Sequence, residues 1–271
     1  MTGPGSDTSP DEKGPIASFH HDRARASSFG DNAELYDATR PGYPAQLVSD
    51  LVARGGATVL DVGCGTGLLG RGFLAHGLAV TGVEPDARMA AVATRAGLIV
   101  EVATFEEWEP EGRTFDLLVS GQAWHWVDPV IGAQRAADVI APGGSLALVW
   151  NDGTMDGELR ASLDDAYDEL AAGIATPTVL HRSDDWLRPG GSQHALMAVG
   201  AFKELEVVTY EWSRTYTTAQ WVSQLETHSD HALMEPDARA ALLAAVARVI
   251  DGRGGSFTMR YDCRATLGER R

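Results

Sequence analysis

A short apolar run that leads directly into alternating glycines constrains this chain more than any other feature. Residues 59–67 are VLDVGCGTG. The run predicts a buried strand that turns at once into a loop, because glycine adopts the required backbone angles without steric strain. Glycine also lets a ligand lie against bare peptide groups. We expect the following helix, from about Thr66 to His76, to direct its unpaired N–H groups at that ligand.

Two classes of nucleotide-like ligand use such a loop, and the nearby acids help to distinguish them. Residues 65–70 satisfy G-x-G-x-x-G, and Glu84 lies 19 positions after Gly65, near the spacing of about 20 for a ribose-binding acid. This pattern allows NAD. Asp61, however, ends the predicted strand, where its carboxylate would repel a pyrophosphate and attract an ammonium group. S-adenosylmethionine carries an ammonium and no phosphate, so the sequence favours it over NAD.

Three segments resemble the class I S-adenosylmethionine-dependent methyltransferases. Residues 59–67 resemble the first signature of that class, and residues 80–86 (VTGVEPD) resemble the second. Residues 115–126, which end in QAWHW, resemble the fourth strand and its exit loop. Residues 40–44 (RPGYP) and the His-Trp exit are similar to the small-molecule branch, the methyltransferase type 11 and trans-aconitate methyltransferase group. The resemblance runs from about residue 29 to the C-terminus.

The fold class expected from this pattern is α/β. Strand-like segments alternate with stretches of roughly ten residues that have helical spacing, which predicts a Rossmann-like, doubly wound sheet with its ligand at the carboxyl ends of the strands. The resemblance implies a seven-stranded mixed sheet with an antiparallel last strand, flanked by helices. The predicted strands are about 57–62, 79–84, 98–103, 115–120, 145–150, 205–212 and 257–263.

Changes in composition divide the chain into four predicted parts. Residues 1–26 hold scarcely any large apolar side chain, so we expect a disordered leader. Residues 27–151 would form an N-terminal cover and the cofactor-binding half of the domain. Residues 152–201, with one helix at 158–172, interrupt the alternation and are predicted to be a lid or substrate insertion. Residues 202–271 would complete the same sheet.

Charge and composition limit the partners of the protein. A net charge of −16 with only two lysines argues against a nucleic-acid substrate. Two cysteines make neither a disulfide framework nor a metal cluster. The N-terminus lacks a signal-peptide pattern, and no apolar segment approaches the ~20 residues of a membrane span. We expect a cytoplasmic protein with a small-molecule substrate, no membrane partner and no metal; its oligomeric state stays open.

The resemblance implies a role for each part of the predicted cofactor site. The glycine loop and Asp61 would hold the methionine part, Glu84 would accept both ribose hydroxyls, and Pro85 would lie under the adenine. The N-terminal cover would add two candidates for the cofactor carboxylate, which could equally pack or cap a helix. The predicted cofactor-binding residues are Tyr36, Arg40, Asp61, Gly63, Cys64, Gly65, Gly67, Glu84, Pro85, Thr104, Phe105, Gln122 and Ala123.

Two corners of this predicted site are less regular. Thr104 and Phe105 occupy the corner that flanks the adenine, where the family often has an aspartate, so the adenine contact is open. Gln122 and Ala123 would lie beside the sulfonium. Cys64 has an alternative role as a small buried residue.

Methyl transfer is an in-line displacement, so the protein mainly aligns the reactants and excludes water. A base is needed only if the acceptor must lose a proton. His125 is the candidate for a hydroxyl or amine acceptor, with a structural role as its alternative. A carboxylate acceptor needs no base. Arg182 or Arg188 in the insertion could contact an anionic acceptor, or could face solvent.

The sequence therefore predicts an S-adenosylmethionine-dependent methyltransferase (EC 2.1.1.-) that acts on an O, N or carboxylate acceptor of a small molecule. An inactive S-adenosylmethionine-binding scaffold is the first alternative. An NAD-dependent oxidoreductase is the second.

Overall fold

A mixed β-sheet with the strand order β3-β2-β1-β4-β5-β7-β6 forms the centre of the computed structural model. The structure describes residues 30, 32–171, 174 and 191–271; the predicted leader, Arg182 and Arg188 lie outside them. The first five strands are parallel, and β7 pairs antiparallel with both β5 and β6. The strands are β1 Thr58–Val62, β2 Ala79–Val83, β3 Ile99–Glu101, β4 Phe115–Gly121, β5 Ile140–Thr154, β6 Glu206–Thr217 and β7 Ser256–Glu269. The predicted fold class is confirmed.

Helices cover both faces of this sheet, and several begin at a side chain that accepts N–H groups of the first turn. Asp86, Asp128 and Asp156 each accept two such hydrogen bonds, and Thr217 forms a capping box with Gln220. The described helices are α1 Ala33–Thr39, α2 Ala45–Ala53, α3 Gly70–Ala75, α4 Ala87–Arg95, α5 Pro129–Val139, α6 Gly157–Leu170, α7 Ser192–Ala198, α8 Thr218–Leu225, α9 Ser229–Ala232 and α10 Pro236–Asp251.

The alternation of side chains along each strand divides the core between the two faces. Leu60 and Leu118 belong to a cluster that α5 and α7 cover. Their neighbours Val59 and Leu117 point the other way, into a cluster covered by α2, α3 and α4. A third cluster joins the upper parts of β6 and β7 to α6, α8 and α10, which we call the helical layer.

The helix after the glycine loop begins four residues later than predicted. It starts at Gly70 rather than Thr66, because Gly67 has a φ of +86°, which a helix does not tolerate. Residues 66–69 form turns instead. At α1, Asn32 is the N-cap residue, and its side chain makes no capping hydrogen bond.

The last three strands are longer than predicted. The paired region of β6 and β7 runs from Glu206 to Thr217, beyond the point where the apolar alternation of the sequence fades. Backbone pairing with β7 and the packing of Trp212 and Tyr216 in the helical layer stabilise this extension of β6.

The predicted insertion contributes to two different clusters. Helix α6 packs with α10 in the helical layer, and α7 packs with α5 under the sheet. Its division at residues 152 and 201 therefore stays a prediction. Among the described helices, none combines the length and apolar character needed to cross a bilayer.

The first prediction concerns the packing of the glycine loop on β2. A Cβ added at Gly82 would lie 2.6 Å from Sγ of Cys64, so Gly82→Ala should destabilise the protein by about 1–3 kcal/mol. Cys64→Ala in the same chain should restore part of that loss, since it removes the sulfur. Gly157→Ala is the control, because a Cβ there meets nothing within 4 Å. Urea unfolding measures the unaltered protein, the Gly82→Ala and Cys64→Ala single variants, the double variant and the control. Additive losses in the double variant would contradict the contact.

Candidate functional site

The glycine loop is held against β2 by backbone hydrogen bonds. The N–H groups of Gly63 and Cys64 both donate to the carbonyl of Val83, at 2.8 and 3.2 Å. Gly63, Gly65 and Gly67 have φ values of +65°, +56° and +86°, a region that glycine adopts readily. The loop thus needs its three glycines for backbone conformation, as the sequence predicted.

The loop also lies directly on the exit of β4. A Cβ at Gly63 would fall 2.5 Å from Cβ of Ala123, so the two predicted residues are brought together. Cys64 is buried with its sulfur over Gly82, which is the packing role that was the alternative for it. Burial raises the pKa of the Cys64 thiol well above its usual value, so it stays protonated.

Glu84 connects the end of β2 to the loop. Its side chain is 8% exposed, with Oε2 accepting from the N–H of Gly65 and Oε1 accepting from the N–H of Asp86, both at 2.9 Å. Burial raises the pKa of Glu84 to about 7, and the two backbone hydrogen bonds oppose that rise only in part. The predicted ribose-binding acid therefore lies beside the loop that it was predicted to serve.

Asp61 is the second buried acid at this edge of the sheet. It is the penultimate residue of β1, on the face covered by α3, and is 1% exposed. Its Oδ2 has no hydrogen-bond partner in the described part of the chain. A Cβ at Gly70 would lie 3.0 Å from that oxygen. Burial raises the pKa of Asp61 to about 7; the Gly70 N–H opposes the rise and the charge of Glu84 adds to it.

These two carboxylates form a site of negative potential that lacks a cation. Within residues 32–171 and 191–271, neither Asp61 nor Glu84 forms an ion pair with a basic residue. Buried acids are normally paired. The arrangement is therefore suited to a ligand that brings a positive charge or hydroxyl donors.

The exit loop of β4 carries the predicted residues Gln122, Ala123 and His125. Gln122 has a φ of +57°, its N–H donates to the carbonyl of Val149, and its Nε2 donates to the carbonyl of Asn151. Trp124 is fully buried and packs in the core. His125 is half-buried with its ring 5.1 Å from that of Trp126. The histidine thus lies on the exit loop of β4, whereas Trp124 is part of the core.

The two side chains at the corner predicted to flank the adenine, Thr104 and Phe105, have different environments. Phe105 is 3% exposed, with its ring 5.8 Å from that of Trp124 in the core, so any ligand contact is limited to its backbone. The Thr104 hydroxyl donates to Oε2 of Glu107 at 3.2 Å and accepts from the Glu107 N–H. Pro85 is exposed beside Glu84.

The N-terminal cover is fastened to the first half of the sheet. Asp37 on α1 forms an ion pair with Arg71 on α3 at 2.6 Å, and Glu34 pairs with Arg95 on α4. Tyr36 packs against the apolar face of α4. These contacts hold α1 beside the helix that follows the glycine loop.

The predicted pair Tyr36 and Arg40 is adjacent in the structure. The guanidinium carbon of Arg40 lies 4.8 Å from the Tyr36 ring centroid. Nε and Nη2 of Arg40 donate to the hydroxyl and the carbonyl of Thr227, both at 2.9 Å. Thr227 follows α8, so Arg40 connects the N-terminal cover to the helical layer.

Sequence reasoning missed Asn151, which joins three distant segments. It is 2% exposed; its Nδ2 donates to the carbonyl of Gly42 and its Oδ1 accepts from Nε1 of Trp212, at 3.0 and 3.1 Å. It also missed Tyr43, whose hydroxyl would lie 2.4 Å from a Cβ at Gly121. For Asn151, the only sequence signal was a polar residue at a strand end. That signal does not identify its partners Trp212 and Gly42, which lie about 60 and 109 positions away in the chain.

Comparisons with known proteins agree with this geometry. Residues 36–160 match the model of a methyltransferase domain family. A relative from Mycobacterium tuberculosis, an uncharacterised methyltransferase, is 39% identical over 132 residues, 48% of this chain and 54% of the relative. A ubiquinone biosynthesis O-methyltransferase from Rhizobium leguminosarum bv. trifolii is 28% identical over 152 residues, 54% of this chain and 59% of the relative. The chain spans about half the length of the curated relatives it matches.

Solved structures share the fold. A protein from Anaeromyxobacter dehalogenans, provisionally classed as a type II methyltransferase, has a TM-score of 0.62 and 23% identity, covering 85% of this chain and 97% of that one. Phosphoethanolamine N-methyltransferase 2 from Haemonchus contortus, solved with S-adenosyl-L-methionine, has a TM-score of 0.51 and 17% identity, covering 94% and 60%. Residues 36–160 thus match a methyltransferase domain, and the chain shares the fold of solved methyltransferases.

The second prediction tests the energetic cost of the buried acid. The pKa of Asp61 in the folded state, about 7, lies above its ordinary value of 3.8, so ionisation costs stability as pH rises between these values. Asp61→Asn should therefore stabilise the ligand-free protein at pH 8 by roughly 2–4 kcal/mol, and by less at pH 5. Thermal unfolding at the two pH values measures the change.

Asp116→Asn is the matched control, because the pKa of Asp116 is shifted in the opposite direction to that of Asp61. Hydrogen bonds from the Ala57 and Thr58 N–H groups and the Thr58 hydroxyl lower the pKa of Asp116. Its amide variant should lower the melting temperature at pH 8. A loss of stability at pH 8 in both variants would contradict the account of Asp61.

Proposed function

We propose that the protein is an S-adenosylmethionine-dependent methyltransferase that transfers a methyl group to an O, N or carboxylate acceptor on a small molecule. The observation that carries this proposal is the pair of buried acids, Asp61 and Glu84, beside a loop whose glycines have positive φ angles. An ammonium group and a ribose diol supply what the two carboxylates lack. A pyrophosphate would instead add negative charge beside them, which disfavours NAD.

The residues present fit this cofactor. The Oδ2 atom of Asp61, buried without a partner in the described residues, suits the ammonium, and Glu84 retains lone pairs for the ribose hydroxyls. Arg40, beside Tyr36, suits the carboxylate. Gln122 and Ala123 at the exit of β4 suit the reacting end, and exposed Pro85 suits the adenine face. When bound, the cofactor supplies an electrophilic methyl group.

The chain's own part in the reaction is to orient the acceptor, exclude water and accept a proton where one must leave. The N-terminal cover and the helical layer, which meet at Arg40 and Thr227, would enclose the site. Two sets of curated relatives are named O-methyltransferases, which favours an oxygen acceptor. For a hydroxyl acceptor, His125 on the exit loop is the proposed proton acceptor.

We place the enzyme in the cytoplasm, a proposal supported by two buried cysteines that form no disulfide. The proposed partner is a small-molecule acceptor. The proposal includes no nucleic-acid and no membrane partner, in keeping with the net charge of −16.

The third prediction tests the cofactor. Isothermal titration with S-adenosylhomocysteine should give micromolar affinity, and NAD should give no heat of binding. Asp61→Asn should weaken S-adenosylhomocysteine binding by about tenfold or more at pH 8, because the ammonium loses its counter-charge. Asp262→Asn, an exposed acid on β7, is the control and should bind as the unaltered protein does.

Binding of NAD without S-adenosylhomocysteine would contradict the proposal. Equal affinity of the Asp61→Asn variant would contradict the role of that carboxylate. Formation of S-adenosylhomocysteine from S-adenosylmethionine, with extracts of small metabolites as acceptors, separates an enzyme from an inactive scaffold.

A further inference from the structure

Two arginines meet where the N-terminal cover crosses the last strands of the sheet. Arg214 lies on β6, and its Nη1 donates to the carbonyls of Thr39 and Arg40 at 3.2 and 3.1 Å. Its guanidinium carbon lies 4.7 Å from the ring centroid of Tyr216. Arg40 and Arg214 are both half-buried. We call them the arginine pair.

Both positive charges act on the same two hydroxyl groups. Tyr216 and Tyr261 share a buried hydrogen bond of 2.7 Å between their hydroxyls. Burial raises the pKa of each tyrosine, and the charges of Arg40 and Arg214 both oppose that rise. The two guanidinium groups therefore both lie near this pair of hydroxyl groups.

No carboxylate neutralises the arginine pair within the described ranges. The hydrogen-bond partners found there are neutral: the Thr227 hydroxyl and carbonyl for Arg40, and two carbonyls for Arg214. Burial lowers the pKa of Arg40, and the groups that raise it are four tyrosines. In contrast, Arg71 and Arg113 pair with acids at 2.6 and 2.5 Å. In a chain of net charge −16, a cationic pair without an acid indicates an anion from outside.

A buried histidine supplies a second, independent sign of a ligand. His228 follows Thr227, is 5% exposed, and its Nε2 has no hydrogen-bond partner among the described residues. Burial, then the nearby charge of Arg40, lowers the pKa of His228 well below its ordinary value, so the ring is neutral. A neutral imidazole offers a bound molecule one donor or acceptor.

The arginine pair is continuous with the proposed methyl-transfer site. The Tyr43 hydroxyl lies at the end of β4 and is near both sites. Burial, then Tyr36, Cys263 and Asp61, raise the pKa of Tyr43, and the charge of Arg40 lowers it. On the side of β6, the Trp212 ring stacks on Tyr261 with centroids 4.7 Å apart, and Trp212 bonds to Asn151. A molecule held by the pair would thus lie beside the exit of β4.

We propose that the arginine pair is an oxyanion subsite of the methyl acceptor, with Arg214 as its principal donor. The acceptor then carries a carboxylate or a phosphate ester in addition to the atom that is methylated. Arg40 contributes its remaining N–H donors and also serves the cofactor carboxylate. A guanidinium suits either oxyanion because its fork matches two oxygen atoms. This inference rests on the proposed methyltransferase function.

The experiment titrates three probes into the protein saturated with S-adenosylhomocysteine. Malonate represents carboxylates, glycerol 3-phosphate represents phosphate esters, and malonamide is a neutral analogue of the first. At least one anion should bind and raise the melting temperature, whereas malonamide should do neither. Which anion binds distinguishes the two sources of the oxyanion.

Variants assign the binding to the arginine pair. Arg214→Gln should weaken the anion about tenfold or more while leaving S-adenosylhomocysteine affinity within about twofold. Arg214→Lys keeps the charge and should retain part of the binding, which separates lost charge from lost folding. Arg260→Gln, an exposed arginine on β7, is the matched control and should change neither affinity.

Three results would overturn the inference: no binding of either anion to the saturated protein, unchanged anion binding in Arg214→Gln, or an equal loss of S-adenosylhomocysteine binding in that variant. The third result would assign Arg214 to the cofactor. Because S-adenosylhomocysteine binding is measured first, its absence refutes the proposed function itself and is distinguishable from failure of the anion subsite.

Discussion

The structure depends on the burial of two carboxylates at neighbouring strand ends. Glu84 holds the glycine loop through the N–H of Gly65, and Asp61 lies beneath the same loop against the first residue of α3. Each is buried at a cost that appears as a pKa of about 7. An ordinary core would not contain two such groups without cations. We therefore propose that the bound cofactor supplies the missing positive charge.

The remainder of the site is assembled around this edge from segments far apart in the chain. The N-terminal cover is tied to the first half of the sheet by Asp37 and Arg71, and to the helical layer by Arg40 and Thr227. Asn151 links that cover to β6 through Trp212. Cofactor and acceptor binding would therefore share the same covering segment, and a change at Arg40 would affect both.

Features of the fold and site that follow from local sequence pattern could be predicted, whereas those that depend on tertiary contacts could not. The positions of the strands, the glycine loop and the neighbouring Glu84 follow from local rules: apolar runs, glycine spacing and the distance from Gly65. The late start of α3 depends on the φ of Gly67, and the inward turn of Phe105 depends on its contact with Trp124. No sequence pattern identified Arg214 as a site residue, because its hydrogen-bond partner is a carbonyl about 175 positions earlier in the chain.

The most direct test of the account is proton release on ligand binding. Calorimetry with S-adenosylhomocysteine at pH 7, in two buffers of different ionisation enthalpy, measures the protons released. The account predicts release of about half a proton or more per site, with affinity rising about tenfold from pH 6 to pH 8, as the ammonium lowers the pKa of Asp61. Release should vanish or fall sharply in Asp61→Asn. Equal heats in both buffers with pH-independent affinity would show that these carboxylates do not carry the binding.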